Sequence, residues 1–214
     1  MLSLDPHTNF FGSFVDAEME VAFLRESVDS LESVLSEAAA RPSSQHAPLN
    51  AALAAIAGDR EYLYTELLPA VVHETHAISC VVFLERQCRD YVQALAAAIS
   101  SSLTLNDLSG SVLQRFRTYC EKVAGLPLGL SVQDWQTVSG LVTLRNALVH
   151  ASGLVESSRD RREIEAFVRR HRTPEIVDGR LRFSRATSEL FLSTLGHFVN
   201  AVYEAALNRF PPEA

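Results

Sequence analysis

An all-α fold is what this sequence predicts, and three features of it say so. Apolar residues recur at spacings of three and four through the long segments, as in Val21, Leu24, Val28, Leu31 and Leu35, the period that lines one face of a helix. Those segments are dominated by Leu, Ala, Val and Glu. Alternation with a period of two occurs once, over Ile176–Phe183 around Asp178-Gly179, and reads as a small β-hairpin. The expected architecture is a helical bundle with a hairpin late in the chain and an N-terminal helical arm.

The elements follow in order. Residues 14 to 40 form a long amphipathic helix stopped by Pro42-Ser43-Ser44. Its narrow seam packs on the rest of the bundle, or on a second protomer. Leu49–Ala57 is a short alanine-rich helix ending at Gly58, and Asp59–Leu68 is helical up to Pro69, which breaks or restarts the chain. Ala70–Ile99 is the principal core helix, with Val71, Ile78, Val81, Leu84, Tyr91 and Leu95 among its apolar positions. A polar connection, Ser100–Ser109, offers Asn106 or Asp107 as a cap for the next helix, Leu113–Val123, which Gly125-Leu126-Pro127 ends. Ser131, with Asp134 three residues on, opens a strongly apolar helix that Gly153 terminates. Trp135 on that helix is a core or interface anchor. A charged helix over Arg159–Arg170, the hairpin, and a last helix capped by Ser184 and running to about Asn208 complete the chain. The organisation is an N-terminal helical region, 1–58, and a helical domain, 59–214.

Composition narrows the class. With 47% apolar and 21% charged residues the chain is an ordinary globular one. No unbroken apolar run reaches the roughly 18 residues that cross a bilayer, and Met1–Phe14 lacks the pattern of a signal peptide, so a cytoplasmic protein away from membranes is expected. Cys80, Cys88 and Cys120 form no CxxC. Cys80 and Cys88 lie about 12 Å apart along one helix, too far to bridge, so packed reduced thiols are expected. The net charge of −7 argues against a surface that coats nucleic acid. The basic residues are nonetheless uneven: nine of the 19 fall in 159–185, all of them arginine. Arg169, Arg170 and Arg172, flanking His171, are candidate RNA contacts or a solvated face. His73 and His76, with Glu74 between them, lack an evident third ligand, so surface or packing roles are expected and no metal or cofactor is.

The chemistry-bearing stretch is Arg145-Asn146-Ala147-Leu148-Val149-His150, followed by Gly153. A guanidinium stays charged and an imidazole titrates near neutrality, and those two properties are what metal-free phosphodiester cleavage needs. Five positions along a helix turn by about 140° net, so Arg145 and His150 do not share an ideal face, whereas Asn146 and His150, four apart, do. A long arginine side chain near a helix end makes a joint site possible without compelling it.

At these residues the chain resembles the HEPN superfamily, whose signature is Arg, commonly a polar residue after it, and His four to six residues after the Arg. The segment Phe83-Leu84-Glu85-Arg86-Gln87-Cys88 is similar to the helix that packs beside the motif helix in that group. The hairpin and closing helix are similar to the tail of several prokaryotic members, and the resemblance covers roughly residues 60 to 208. It implies a homodimeric, metal-independent endoribonuclease of a toxin–antitoxin or phage-defence system, with two motifs meeting in one cleft. His150 would move protons, Arg145 would neutralise the phosphorane, and Asn146 would orient the phosphate or His150. Glu85 would be a supporting acid beside Arg145, its alternative being an ordinary ion-paired helix residue. An antitoxin or defence-system protein would be a partner. The chain has Ser152 where some HEPN toxins carry a modifiable tyrosine, so that mode of control is not expected. The competing expectation is a non-catalytic helical dimer, an adaptor or regulator that binds another protein through its acidic surface.

Overall fold

Asp5 and Pro6 start the first helix, eight residues earlier than its apolar period suggests. The Asp5 carboxylate accepts from the Thr8 N–H at 3.0 Å, and Pro6 occupies the first helical position, where a missing N–H costs nothing. Helix α1 then runs Pro6–Ala40. The computed structural model describes residues 5–40 and 62–212. The expected stop at Pro42, the short helix over 49–57, the boundary at residue 58 and the start of the 59–68 segment lie outside the described residues.

Pro69 does not break the chain. A wide turn of π-helix, Leu63–Leu67, leads directly into α2, Leu68–Ala98, with the Leu68 N–H donating back to the Leu63 carbonyl. The proline thus sits in the opening turn of α2, where its lost donor is harmless. Leu63–Ala98 is long and apolar enough to cross a membrane by length and composition. Glu74, Glu85, Arg86, Arg89 and Asp90 interrupt its apolar runs. Its buried residues include the polar His73, His76 and Gln87 beside Val81 and Leu84.

After α2, Thr104 and Asp107 close a short 3-10 turn, Leu105–Asp107, by a reciprocal capping box. Asp107 therefore does not cap the following helix, as expected from the sequence. Ser111 does so with Gln114, opening α3, Val112–Thr118, which widens into a π turn, Tyr119–Val123. Helix α4, Val132–Ala151, opens with the capping box foreseen at Ser131: its N–H donates to Asp134 at 2.8 Å and its hydroxyl accepts from the Asp134 N–H at 3.1 Å. Helix α5 spans Arg161–His171 and closes on Arg172 in left-handed geometry. Strands β1, Glu175–Val177, and β2, Arg180–Arg182, pair antiparallel with Ile176 opposite Leu181. Positive φ at both Asp178 and Gly179 makes the two-residue turn that the Asp-Gly pair predicts. Helix α6 is Arg185–Arg209. Among the described residues 76% are helical and the sheet is a single two-stranded one, so the fold class is all-α with a late hairpin.

The chain divides into two compact units, and α1, α2, α4 and α6 each give a segment to both. The first unit takes Met1–Ala22, Ser79–Val142 and Phe191–Ala214. Its interior is aromatic: the Tyr91 ring lies 5.3 Å from Phe10, 5.7 Å from Phe116 and 5.4 Å edge-on from Tyr203, and Trp135 meets Phe198 at 6.1 Å. The two buried phenols are paired, Tyr91 donating to the Val202 carbonyl at 3.0 Å and Tyr203 to Gln87 at 3.1 Å, as burial of a polar tip requires. Cys80, Cys88 and Cys120 are buried free thiols in this unit; desolvation pushes Cys80 up to about 12 and raises the other two as well, so all three stay protonated.

The second unit takes Phe23–Ile78 and Thr143–Leu190. Val28, Leu63, Ala77, Leu144, Ala147, Ile164, Phe167, Leu181 and Phe183 are its apolar interior. Along α1 the expected seam holds in part: Val21 and Val28 are buried, Leu24 and Leu35 are half-buried, and Leu31 is 50% exposed. A polar cluster also lies inside this unit. His73 sits with Nε2 at 3.2 Å from Glu32 and Nδ1 at 3.0 Å from the Ser188 hydroxyl. With the proton on Nε2 it donates to the carboxylate and accepts from the serine, so both nitrogens are satisfied. Arg185 closes the cluster against Glu32, Asp29 and Glu189.

Candidate active site

Helix α4 carries Arg145, Asn146 and His150 in its last two turns, in the second unit. Leu144 and Ala147 face inward at 0% and 2% exposure. That orientation leaves Arg145 and Asn146 half-buried and His150 exposed. The Nε of Arg145 is enclosed, while the imidazole of His150 stands in solvent. The helix stays α-helical through Ala151, so the rotation of about 140° between Arg145 and His150 holds, and Asn146 remains the residue in line with His150.

The chain leaves the helix abruptly. Ser152, at φ 50°, takes the left-handed position with Gly153 following at φ 75°, and the Gly153 N–H donates to the Ala147 carbonyl at 3.0 Å. This is a six-to-one closure that satisfies a helix-end carbonyl. The expected terminator, Gly153, is thus joined by a serine that accepts the strain of the turn.

The β-hairpin braces this exit. Arg180 donates from Nη1 to the Ser152 carbonyl at 3.0 Å. The Leu181 N–H reaches the Gly153 carbonyl and the Val155 N–H reaches the Gly179 carbonyl, each at 2.9 Å. Three bonds therefore fix the segment that begins two residues after His150. Arg180 was not legible as a site residue, because nothing in the local sequence says which backbone a hairpin arginine will meet. Glu74, which the sequence singled out only between His73 and His76, is the other residue here. Burial raises its carboxyl above the ordinary range, and the Arg180 charge opposes that shift. This half-buried acid thus lies under the influence of the residue that braces the motif.

The other expected residues fall as follows. Glu85 lies in the first unit, half-buried on α2, with its carboxylate 3.8 Å from Arg89. Arg169, Arg170 and Arg172 are exposed at the end of α5 in the second unit with the motif. Among the described residues no carboxylate lies within ion-pair distance of these three. Arg161, earlier on α5, is by contrast paired with Glu165 at 2.8 Å. His171 between them packs its ring 4.3 Å from Phe167. Trp135 is buried in the first unit, 7% exposed, with the Arg117 guanidinium over its ring. Both His73 and His76 are buried, and among the described residues no group of three His, Cys, Asp or Glu side chains is arranged to hold a metal ion.

Chemically, the motif end of α4 offers a fixed cation, an amide and an accessible imidazole within two helical turns, with exposed guanidinium groups elsewhere in the same unit. Set against known proteins, the chain matches no family model, no curated protein and no solved structure.

Proposed function

We propose that the protein is a metal-independent endoribonuclease of the HEPN type, acting as a homodimer in a toxin–antitoxin or phage-defence setting. Its main support is the placement of Arg145, Asn146 and His150 at the braced end of α4, with His150 exposed and Arg145 half-buried. In the reaction, the ribose 2′-oxygen attacks the adjacent phosphorus while its proton passes to the imidazole of His150. Arg145 neutralises the phosphorane as negative charge builds. The bond from phosphorus to the 5′-oxygen then breaks, and that oxygen takes a proton from the second motif of the dimer. The products are a 2′,3′-cyclic phosphate and a 5′-hydroxyl, so atoms and charge balance without a metal. Arg169, Arg170 and Arg172 supply unpaired cations for the RNA backbone.

A second reading, a non-catalytic dimer that acts as an adaptor, draws support from the overall charge of −7. The two separate in cells. Expression of the wild-type chain should arrest growth and His150→Ala, an exposed substitution, should relieve the arrest at equal protein level. Arrest that persists in His150→Ala favours the adaptor.

A further inference from the structure

We propose that the first unit carries a second, separate site that binds a phosphorylated small metabolite, a phosphate monoester about the size of a nucleoside monophosphate. A cavity of about 410 Å³ lies between the C-terminal turns of α2, the loop after it and α3, within the size range of ligand pockets and at its small end. One stripe of α2 forms a wall, with Arg89, Val92, Gln93 and Ala96 at helical spacing.

The lining is cationic and rich in donors. It holds two guanidinium groups, Arg89 and Arg115, and no carboxylate, in a protein that is acidic overall. Arg115 is part-buried, and neutral oxygens alone hold it: Nη1 donates to the Leu105 carbonyl at 3.2 Å and to Asn106 Oδ1 at 3.4 Å. Its Nε is buried without a hydrogen-bond partner, and among the described residues no carboxylate lies within ion-pair distance of it. A guanidinium partly enclosed without a counter-charge favours an anion placed beside it. Arg89 is 56% exposed and has only a loose partner, Glu85 at 3.8 Å.

Further donors line the cavity from the loop. The Ser101 hydroxyl accepts from the Leu103 N–H at 3.2 Å, which leaves its own proton to give. Asn106 spends its amide oxygen on Arg115, which leaves its amide NH₂. Thr104 is excluded from this set, because its hydroxyl already donates to Asp107. Two fork-shaped cations and two neutral donors suit a dianion with three oxygens. Val92, Leu103 and Leu105 also line the cavity and give the organic part of the ligand an apolar surface that a bare ion would leave uncovered.

This site and the motif share no residue, so a binding measurement on the full chain tests it apart from any nuclease activity. Adenosine 5′-monophosphate and ribose 5-phosphate are titrated calorimetrically, with adenosine, inorganic phosphate and a short oligoribonucleotide as comparisons. Saturable binding of at least one monoester is expected, at least tenfold tighter than adenosine or inorganic phosphate. Arg89→Ala, at an exposed side chain, and Arg115→Lys, which keeps the charge but loses the fork, should each weaken it at least tenfold with native circular dichroism. Arg145→Ala should leave it unchanged. The proposal fails if neither monoester binds, if binding ignores both cavity arginines, if Arg145→Ala abolishes it, or if inorganic phosphate or the oligoribonucleotide binds as tightly as the monoesters.

Discussion

At the scale of single residues, the motif was legible because a few side chains of unusual chemistry stand close together in the sequence. Their environment was not, since burial of Arg145 beside exposure of His150 depends on which face of α4 turns inward. Arg180 was invisible for a related reason: it acts on a partner remote in sequence. Gly153 shows how local chemistry decides a substitution. A Cβ there would meet only ordinary contacts, 3.7 Å from Leu148 and 3.8 Å from the Leu181 carbonyl, yet φ is 75°. Gly153→Ala should therefore cost about 1 kcal/mol through backbone strain rather than packing, read as a lower urea midpoint with an unchanged slope. Arg180→Ala removes one bond to the Ser152 carbonyl, worth about 1 kcal/mol. It should leave the fold intact while lowering the rate of RNA cleavage more than substrate affinity. Equal kcat in the variant and the wild type would show that the hairpin does not position the motif.

Elements were read well wherever a single period ran through them and poorly where a terminus decided the matter. Helix α4 and its Ser131 box, the Asp178-Gly179 hairpin and the last helix followed from spacing and turn chemistry. The start of α1 at Pro6 escaped notice because its first turns, including Phe10 and Phe11, fall before the regular apolar repeat begins. Pro69 was expected to break or restart the chain; it stands in the first turn of α2, after a π turn, where a proline is tolerated. Asp107 was offered as a helix cap, but its own turn captures it first through two bonds from Thr104. Capping residues compete for the nearest free N–H, and a sequence with several candidates does not say which wins.

On the scale of the whole molecule, the fold class was readable from periodicity, while the division into two units was not, because it cuts through continuous helices. Stability should depend on pH through the buried histidines of the second unit. Burial lowers His73, against the opposing pull of Glu32, and brings His76 from 6.5 down to about 4. Both are therefore neutral in the folded state at pH values where the unfolded chain binds protons, so stability falls as pH drops from about 6.5 toward about 4. Glu74, raised by burial, works in the opposite sense over the acid end of that range. His76→Gln should remove about 2–3 kcal/mol of the acid-dependent loss, measured as a flatter dependence of the urea midpoint on pH. An unchanged slope would place the acid sensitivity elsewhere. The central claim, cleavage by Arg145 and His150, is tested most directly with purified protein and RNA in excess EDTA, wild type beside Arg145→Ala and His150→Ala. The wild type should cleave to 2′,3′-cyclic phosphate ends, with at least a hundredfold loss in each variant. Intact RNA in the presence of folded wild-type protein, or equal cleavage by all three, would contradict it.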